Sequence, residues 1–298
     1  MEIARALAPE FALIAIGWAL ASLLGWREAF WSPIERLTYW VLFPALLFYG
    51  NARAPVDLAS AGPLMAGGAL VLAIGCVLAL IGKWVTRPEP RVFAGVFQCG
   101  FRFNAYMAFA LANGLYGAQG LAGMALLLGC MVPLANAGSV WALTAGQSPQ
   151  QIARELVTNP LIVSCLAGLA WGSLGLPLPE WTATTLSRFG NAALVLGLLA
   201  VGAALRFGAV SRGGAYLPYV LIVKLAILPL VAWVIARFLG LESASAGLLL
   251  IYAAVPLPAS AYVLAVRLNG APEVVALAIT ISVLASLVTL PIALALLR

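Results

Sequence analysis

Arg102 and Asn104 lie two residues apart in the stretch FRFNAYMAF and place a guanidinium and a carboxamide in an otherwise apolar segment. The guanidinium carries only hydrogen-bond donors, and it binds carboxylates through two parallel N–H···O bonds. The amide adds two further N–H donors. These residue types make Arg102 and Asn104 candidates for a site that binds a small organic anion.

The composition indicates where such a site would lie. The chain has 298 residues, of which 64% are hydrophobic and 9% charged, and its mean hydropathy is +1.06. Soluble domains carry about 25% charged residues, so this composition predicts a polytopic membrane protein. The net charge of +6 is scattered over short loops without basic runs, which argues against nucleic-acid binding. With no histidine and no CxxC pair among the four cysteines, we expect no metal site and no cofactor.

Charges and turn residues divide the chain into ten apolar segments of about the 20 residues that a membrane-spanning helix needs. The segments cover residues 7–25, 33–52, 61–82, 92–113, 118–143, 155–175, 183–206, 214–238, 244–267 and 273–297. We number them as spans one to ten. The first has no basic leader and no clear cleavage site, so we expect it to be retained as a span.

Arginine and lysine are more numerous in the loops on the side opposite the two termini, above all in the loop TRPEPR (86–91). The positive-inside rule then predicts that both termini lie outside the cytoplasm. We expect a multi-pass protein of the bacterial inner (plasma) membrane, in contact with membrane lipid.

Weak internal similarity relates the two halves of the chain. Ala105–Tyr106 and Asn113–Gly114 in span four recur at one constant offset as Ala261–Tyr262 and Asn269–Gly270 in span nine. The matches predict two five-span repeats, residues 1–143 and 154–298, joined by a cytoplasmic linker at 144–153. Because five is odd, the second repeat enters the membrane from the opposite side, the inverted arrangement found in many secondary transporters.

Span nine contains the sequence VPLPAS at its centre. Pro256 and Pro258 each lack a backbone N–H and clash with the preceding turn, so they predict a break in the helix. Ser260 could cap a second half-helix after the break. Span four has no proline but holds Gly100 and Asn104 at the equivalent position, and a break there would bring two positive half-helix ends to the membrane midplane.

Arg102 lies some ~16 Å into a ~30 Å hydrocarbon core if span four is helical from Arg91. No Asp or Glu lies at mid-depth in any span, so we expect its partners to be backbone carbonyls of the breaks, water or a substrate anion. Two interpretations stay open: Arg102 contacts the substrate, or it ties down the exposed carbonyls.

Four further residues are candidates on weaker grounds. Lys224 could extend its ammonium to the interface or add to a positive field at the midplane. Asn136 could line the site or cap a neighbouring helix. Tyr106 and Tyr262 could form walls or gates, and aromatic packing is the alternative for both.

The motifs also carry a family resemblance over essentially the whole chain. LFPALLF (42–48), FRFNAYMAF (101–109), LYG (115–117), VPLANAGSV (132–140), NPLIVSCLAG (159–168), KLAILPL (224–230) and AAVPLPASAYVLA (253–265) resemble, in order, motifs of the auxin efflux carrier family. That family includes the plant PIN carriers and bacterial permeases proposed for malate and malonate, and its fold is similar to that of bile-acid symporters.

The resemblance implies ten spans in an inverted repeat, with broken spans four and nine crossing at the midplane. Spans one, two, six and seven would form a scaffold, often dimeric, and the other six a moving transport unit. The carboxylate-binding asparagine of the family would fall on Asn104 and the prolines of its span nine on Pro256 and Pro258. The chain departs from the plant carriers in having no proline in span four.

These observations predict a secondary transporter of small organic anions by an elevator-type exchange of access, with a carboxylate such as malate, malonate or an auxin-like acid as substrate. Coupling to Na⁺ or H⁺ is possible, and so is a homodimer. The alternatives are a sodium-coupled symporter of a larger amphipathic anion and a non-transporting membrane sensor. A cation/proton antiporter would need a carboxylate within a span, and an intramembrane enzyme would need acid–base groups that the spans lack.

Overall fold

The computed structural model describes residues 2–26, 28–53, 58–144, 150, 158, 160–205, 213–267 and 270–296. Within these ranges every regular element is a helix. The helices of the first half are α1 (Glu2–Ser22), α2 (Glu28–Leu37), α3 (Phe43–Arg53), α4 (Leu58–Thr86), α5 (Pro90–Phe97) and α6 (Ala105–Thr144). Those of the second half are α7 (Pro160–Ser173), α8 (Glu180–Ala203), α9 (Tyr216–Ile222), α10 (Leu228–Phe238), α11 (Ser243–Ala254), α12 (Ser260–Arg267) and α13 (Pro272–Ala295).

The described parts of the predicted segments lie mainly on these helices, which confirms the all-helical prediction. Among the described residues, five stretches are helical and apolar enough to cross a membrane: Ala61–Thr86, Pro90–Ser139 (interrupted at residues 101–104), Glu180–Ala203, Tyr216–Phe238 and Pro272–Ala295. Shorter apolar helices include Ala8–Ser22 and Ser243–Ala254. The predicted linker at 144–153 lies outside the described residues except for Thr144 and Gln150, and Asn269 of the repeat lies outside them as well.

Two helices contain a π-helical turn just before a proline. Thr38–Leu42 joins α2 to α3 ahead of Pro44, and Val223–Ile227 joins α9 to α10 ahead of Pro229. A proline removes the hydrogen bond to the fourth residue before it and crowds that residue's carbonyl. The wider π turn accommodates both effects without ending the helix.

The sequence predicts spans four and five as separate segments, 92–113 and 118–143, and the connection expected at residues 114–117 is wrong in its extent. The chain is helical from Ala105 to Thr144 except at Gly117, whose φ of 59° and ψ of −147° interrupt the helix within one residue. This backbone conformation is open to glycine and strained for other residues, so one glycine replaces the expected loop.

The described chain divides into two compact units. The first contains Met1–Gly62, Tyr106–Cys130 and Ala153–Ala204. Within it α1 packs along α8, and α3 packs along both α7 and α8. Glycine lets the α1 and α8 backbones touch, since a Cβ at Gly202 would overlap the carbonyl oxygen of Ile14. Small residues at helix contacts are the usual means of close packing in membranes.

The second unit contains Pro63–Ala105, Met131–Ile152 and Leu205–Arg298. In it α10 packs on α11, α11 packs on α13, and α5 contacts α9 and the start of α13. This unit holds the non-helical residues of both helix breaks and the second π-helical turn. Most of the residues predicted for an anion site lie on or next to these irregular segments.

Candidate functional site: the two helix breaks

The predicted break in span nine is confirmed. Helix α11 ends at Ala254 and α12 begins at Ser260, and the five residues between them, which include Pro256 and Pro258, are not helical. The break is supported from outside, because the buried Leu257 N–H donates to the Ser282 hydroxyl on α13 at 3.1 Å. Pro256 is buried and Pro258 half-buried.

Span four is also broken, although it has no proline. Helix α5 ends at Phe97, a 3-10 turn covers Gln98–Gly100, and helix resumes at Ala105. The N–H groups that leave the helix find other acceptors: Arg102 N donates to the Gln98 carbonyl at 3.0 Å, and Asn104 N donates to the Pro256 carbonyl at 2.9 Å. The second bond joins the two breaks directly.

Gln98 connects the parts of this site and was missed by sequence reasoning. Its side chain is fully buried. The amide nitrogen donates to the carbonyls of Gly95 at 3.1 Å and Ala261 at 3.2 Å, while its oxygen accepts from Arg102. The one available signal was an amide at the start of QCGFRFNAYMAF, inside a span, where every polar group needs a partner.

Arg102 is 8% exposed, and its partners differ from those expected. One guanidinium nitrogen donates to Gln98 Oε1 at 2.9 Å and another to Ser260 Oγ at 3.0 Å. Side-chain oxygens thus take the place that we expected backbone carbonyls, water or substrate to fill. Ser260 was expected as a helix cap; it does begin α12, and its hydroxyl oxygen accepts from Arg102. The arginine joins the two breaks through neutral acceptors, and no carboxylate accepts from it among the described residues.

Lys224 does not extend to an interface. It is 1% exposed, and its ammonium donates to the carbonyl of Ala253 in the last turn of α11, at 2.7 Å. The lysine lies in the π-helical turn Val223–Ile227, which packs against α11, α13 and the 3-10 turn of span four. A cation at the carbonyl end of a helix is favourable because that end carries partial negative charge.

The remaining predicted residues are distributed more widely. Asn104 is buried between the breaks, and Tyr262 is half-buried on α12. Asn136 is half-buried on α6, and among the described residues no hydrogen bond joins it to the breaks. Tyr106 belongs to the first unit, where its ring stacks on Phe43 with centroids 4.9 Å apart. The structure therefore gives Tyr106 the aromatic packing that was the alternative to a gate.

Tyr252, in the last turn of α11, is a further polar group that sequence reasoning missed. It is 2% exposed and its ring packs on Phe103 with centroids 4.7 Å apart. Its buried hydroxyl has no hydrogen-bond partner among the described residues. A buried hydroxyl without a partner costs about 1–3 kcal/mol of stability. The Tyr252 hydroxyl is therefore a donor without an acceptor next to Phe103, which directly precedes Asn104 in the chain.

Residues 146–294 match the sequence profile of a family described as membrane transport protein, and the match spans half of the chain. The chain belongs to the membrane transport protein family. This is the auxin efflux carrier family that the motifs resemble. A comparison with curated proteins finds no match. Together with the apolar helices, membership of this transport family identifies a multi-pass membrane transport protein.

The profile match lies in the second half of this membrane transport protein and includes Lys224, the proline pair of span nine and Ser260. Arg102, Gln98 and Asn104 lie outside it. Their place in the site follows from the hydrogen bonds that attach them to span nine.

Proposed function

We propose that this membrane transport protein is a secondary carrier of small organic anions, with a carboxylate such as malate, malonate or an auxin-like acid as substrate. One observation carries the proposal: Arg102 is buried between two helix breaks and donates to neutral oxygens only among the described residues. A buried cation without an anionic partner costs several kcal/mol. An incoming carboxylate would supply the missing negative charge and bind both guanidinium nitrogens.

The position of Ser260 supports access to this charge. Its side chain is exposed, whereas Gln98 on the other side of the guanidinium is fully buried. An anion arriving at the exposed side would displace the serine oxygen from Arg102 and leave the Gln98 bond in place. The arginine would thus stay oriented while it exchanges a neutral acceptor for a charged one.

The proposal includes ten spans in two inverted repeats, with both termini outside the cytoplasm. The two interrupted helices occur in spans four and nine, the same position in each predicted repeat, and this supports the repeat. Alternating access would be of the elevator type. The first compact unit includes spans one, two, six and seven, and the second includes spans three, eight, nine and ten. This grouping supports a separation of scaffold and transport parts, although Tyr106–Cys130 of spans four and five belongs to the first unit.

We extend the proposal to a homodimer formed by the scaffold and to a place in the bacterial inner membrane. The family description names transport and no reaction, and we expect no enzymatic activity. Transport by such a carrier is coupled to H⁺, to Na⁺ or to neither, and the contacts of Lys224 are relevant to coupling with Na⁺.

Uptake into proteoliposomes, paired with a thermal-shift screen of mono- and dicarboxylates, tests the proposal. With the best ligand, Arg102→Gln should weaken binding at least ~10-fold, since hydrogen bonds to a charged group are worth about 1.5–3 kcal/mol. The matched control is Arg53→Gln, because Arg53 is exposed and donates to the Tyr49 hydroxyl at 2.5 Å. Equal ligand affinity in Arg102→Gln and the unaltered protein would make Arg102 structural. Cation exchange without movement of any organic acid would overturn the proposed function.

A further inference from the structure

We propose that the Lys224 ammonium is a resident cation of the carrier: it occupies the carbonyl end of the broken helix α11, so that the organic anion binds without a sodium ion. This inference rests on the proposed function and concerns its coupling. It separates the proposed carrier from a sodium-coupled symporter.

The carbonyl end of a broken membrane helix is a natural cation site. Such an end carries about −0.5 of an elementary charge, and unwound carbonyls at half-helix ends coordinate sodium in several transporter folds. In this protein α11 ends at Ala254 in the middle of a span, and the segment that follows it is extended. A charge within hydrogen-bonding distance of this end would act on the substrate site directly.

Lys224 supplies that charge from a neighbouring helix. Its ammonium lies 2.7 Å from the Ala253 carbonyl oxygen, within the range of charge-assisted hydrogen bonds. The side chain is 1% exposed, so the ammonium is held inside the protein. Ala253 is its one hydrogen-bond partner among the described residues.

Among the described residues, the elements packed against Lys224 bring no carboxylate to its ammonium. The π-helical turn that carries it packs against α11, α13 and the 3-10 turn at 98–100. The other titratable side chains on these elements are Tyr252, Glu273 and Cys99, and Glu273 is exposed in the first turn of α13. The charge of Lys224 therefore lies against the partial negative charge at the carbonyl end of α11, where a bound metal cation would also lie.

The length of the lysine side chain suits it to this position. The π-helical turn ahead of Pro229 widens the helix at Lys224, and the four-carbon stem reaches across to α11. The stem is buried together with the ammonium, which supplies up to three N–H donors. A sodium ion would need several oxygens at this same carbonyl end, and the ammonium already holds the position.

Chemical rescue tests the inference without a substrate. Lys224→Ala should lower the melting temperature of the purified carrier by several degrees, because α11 loses its cation and a cavity forms. Propylammonium, which matches the deleted atoms, should restore part of this loss. Neutral 1-propanol and tetramethylammonium, which has no N–H, should not. The control is Lys83→Ala, because Lys83 is exposed and lies near the Phe93 ring. Its melting temperature should fall little, and none of the three added compounds should change it.

Sodium dependence completes the test. In the unaltered protein, anion binding and uptake should change less than twofold when choline replaces sodium at equal ionic strength. A strict sodium requirement would overturn the inference, and so would equal stabilisation of Lys224→Ala by propylammonium and tetramethylammonium. If Lys224→Ala does not fold, Lys224→Met is the second variant, because it keeps a stem of similar length and removes the charge. An anion affinity in Lys224→Met equal to that of the unaltered protein would also overturn the inference. Rescue by propylammonium alone in a protein that moves no organic acid would retain the resident cation and reject the carrier.

Discussion

Arg102 and Lys224 are both cations buried within spans, and the structure gives them different tasks. Arg102 contacts neutral side-chain oxygens at an exposed edge of the breaks, whereas Lys224 is bonded to a helix carbonyl and enclosed. In the proposed carrier, the first arrangement would leave a positive charge for the organic anion, and the second would use the charge to stabilise a helix end. The sequence placed both charges inside spans, but their partners depend on contacts between distant segments.

Tyr252 provides a prediction at the same scale. Because its buried hydroxyl has no partner among the described residues, Tyr252→Phe should leave the ligand-free protein as stable or more stable, by about 1 kcal/mol. The same variant should bind the organic anion less tightly, since the hydroxyl is an unused donor at the break. Thermal unfolding with and without ligand measures both effects.

The control for Tyr252 is another buried tyrosine of the second unit. Tyr216 donates its hydroxyl proton to the Ala79 carbonyl at 2.9 Å, so Tyr216→Phe should destabilise the protein and leave the relative ligand shift unchanged. If Tyr252→Phe destabilises as much as Tyr216→Phe, the Tyr252 hydroxyl has a structural partner and the prediction is wrong.

At the scale of elements, the two breaks differ in how far sequence alone could predict them. Span nine is interrupted by its own prolines, a local effect that the sequence displays. Span four is interrupted because Asn104 N–H finds the Pro256 carbonyl and Gln98 bonds to Ala261, both more than 150 residues away along the chain. A glycine and an asparagine in a span are compatible with a continuous helix, so only the tertiary contacts settle this break.

The break in span nine depends in turn on α13, which gives a prediction for that element. Ser282→Ala removes the acceptor of the buried Leu257 N–H and should cost ~1–3 kcal/mol, as expected for a buried donor left without a partner. The measurement is the loss of thermal stability of the purified protein, together with the affinity for the organic anion, which should fall as the break loosens.

Ser286→Ala is the matched control, because Ser286 is equally buried on the same helix and its hydroxyl donates to the nearby Val283 carbonyl of α13. That bond is local, so its loss should cost less and leave anion affinity unchanged. Equal losses in the two variants would show that the contact between Ser282 and Leu257 does not hold the break.

At the scale of the whole molecule, apolar content and charge distribution are enough to predict a membrane protein and the positions of most of its helices. The helices follow the predicted segments, and membership of the family agrees with the motifs. What the composition could not supply is the grouping of helices: the contacts divide the chain into two units that each combine parts of both halves. This division requires pairing between distant segments, which hydropathy does not encode.

Membrane orientation is the last prediction and concerns every span at once. Ten spans with both termini outside place the loop at Glu89 in the cytoplasm and the loop at Glu242 outside, and both side chains are exposed. In a background without the four native cysteines, single cysteines at Glu89 and Glu242 should react with a membrane-impermeant maleimide from opposite sides of sealed vesicles. A cysteine at Trp181, which is 75% exposed, should react from the same side as Glu242. Labelling of the Glu89 and Glu242 positions from one side would exclude an odd number of crossings between them and therefore the ten-span count. Opposite labelling with Glu89 outside would keep the count and reverse the orientation, against the excess of arginine around Glu89.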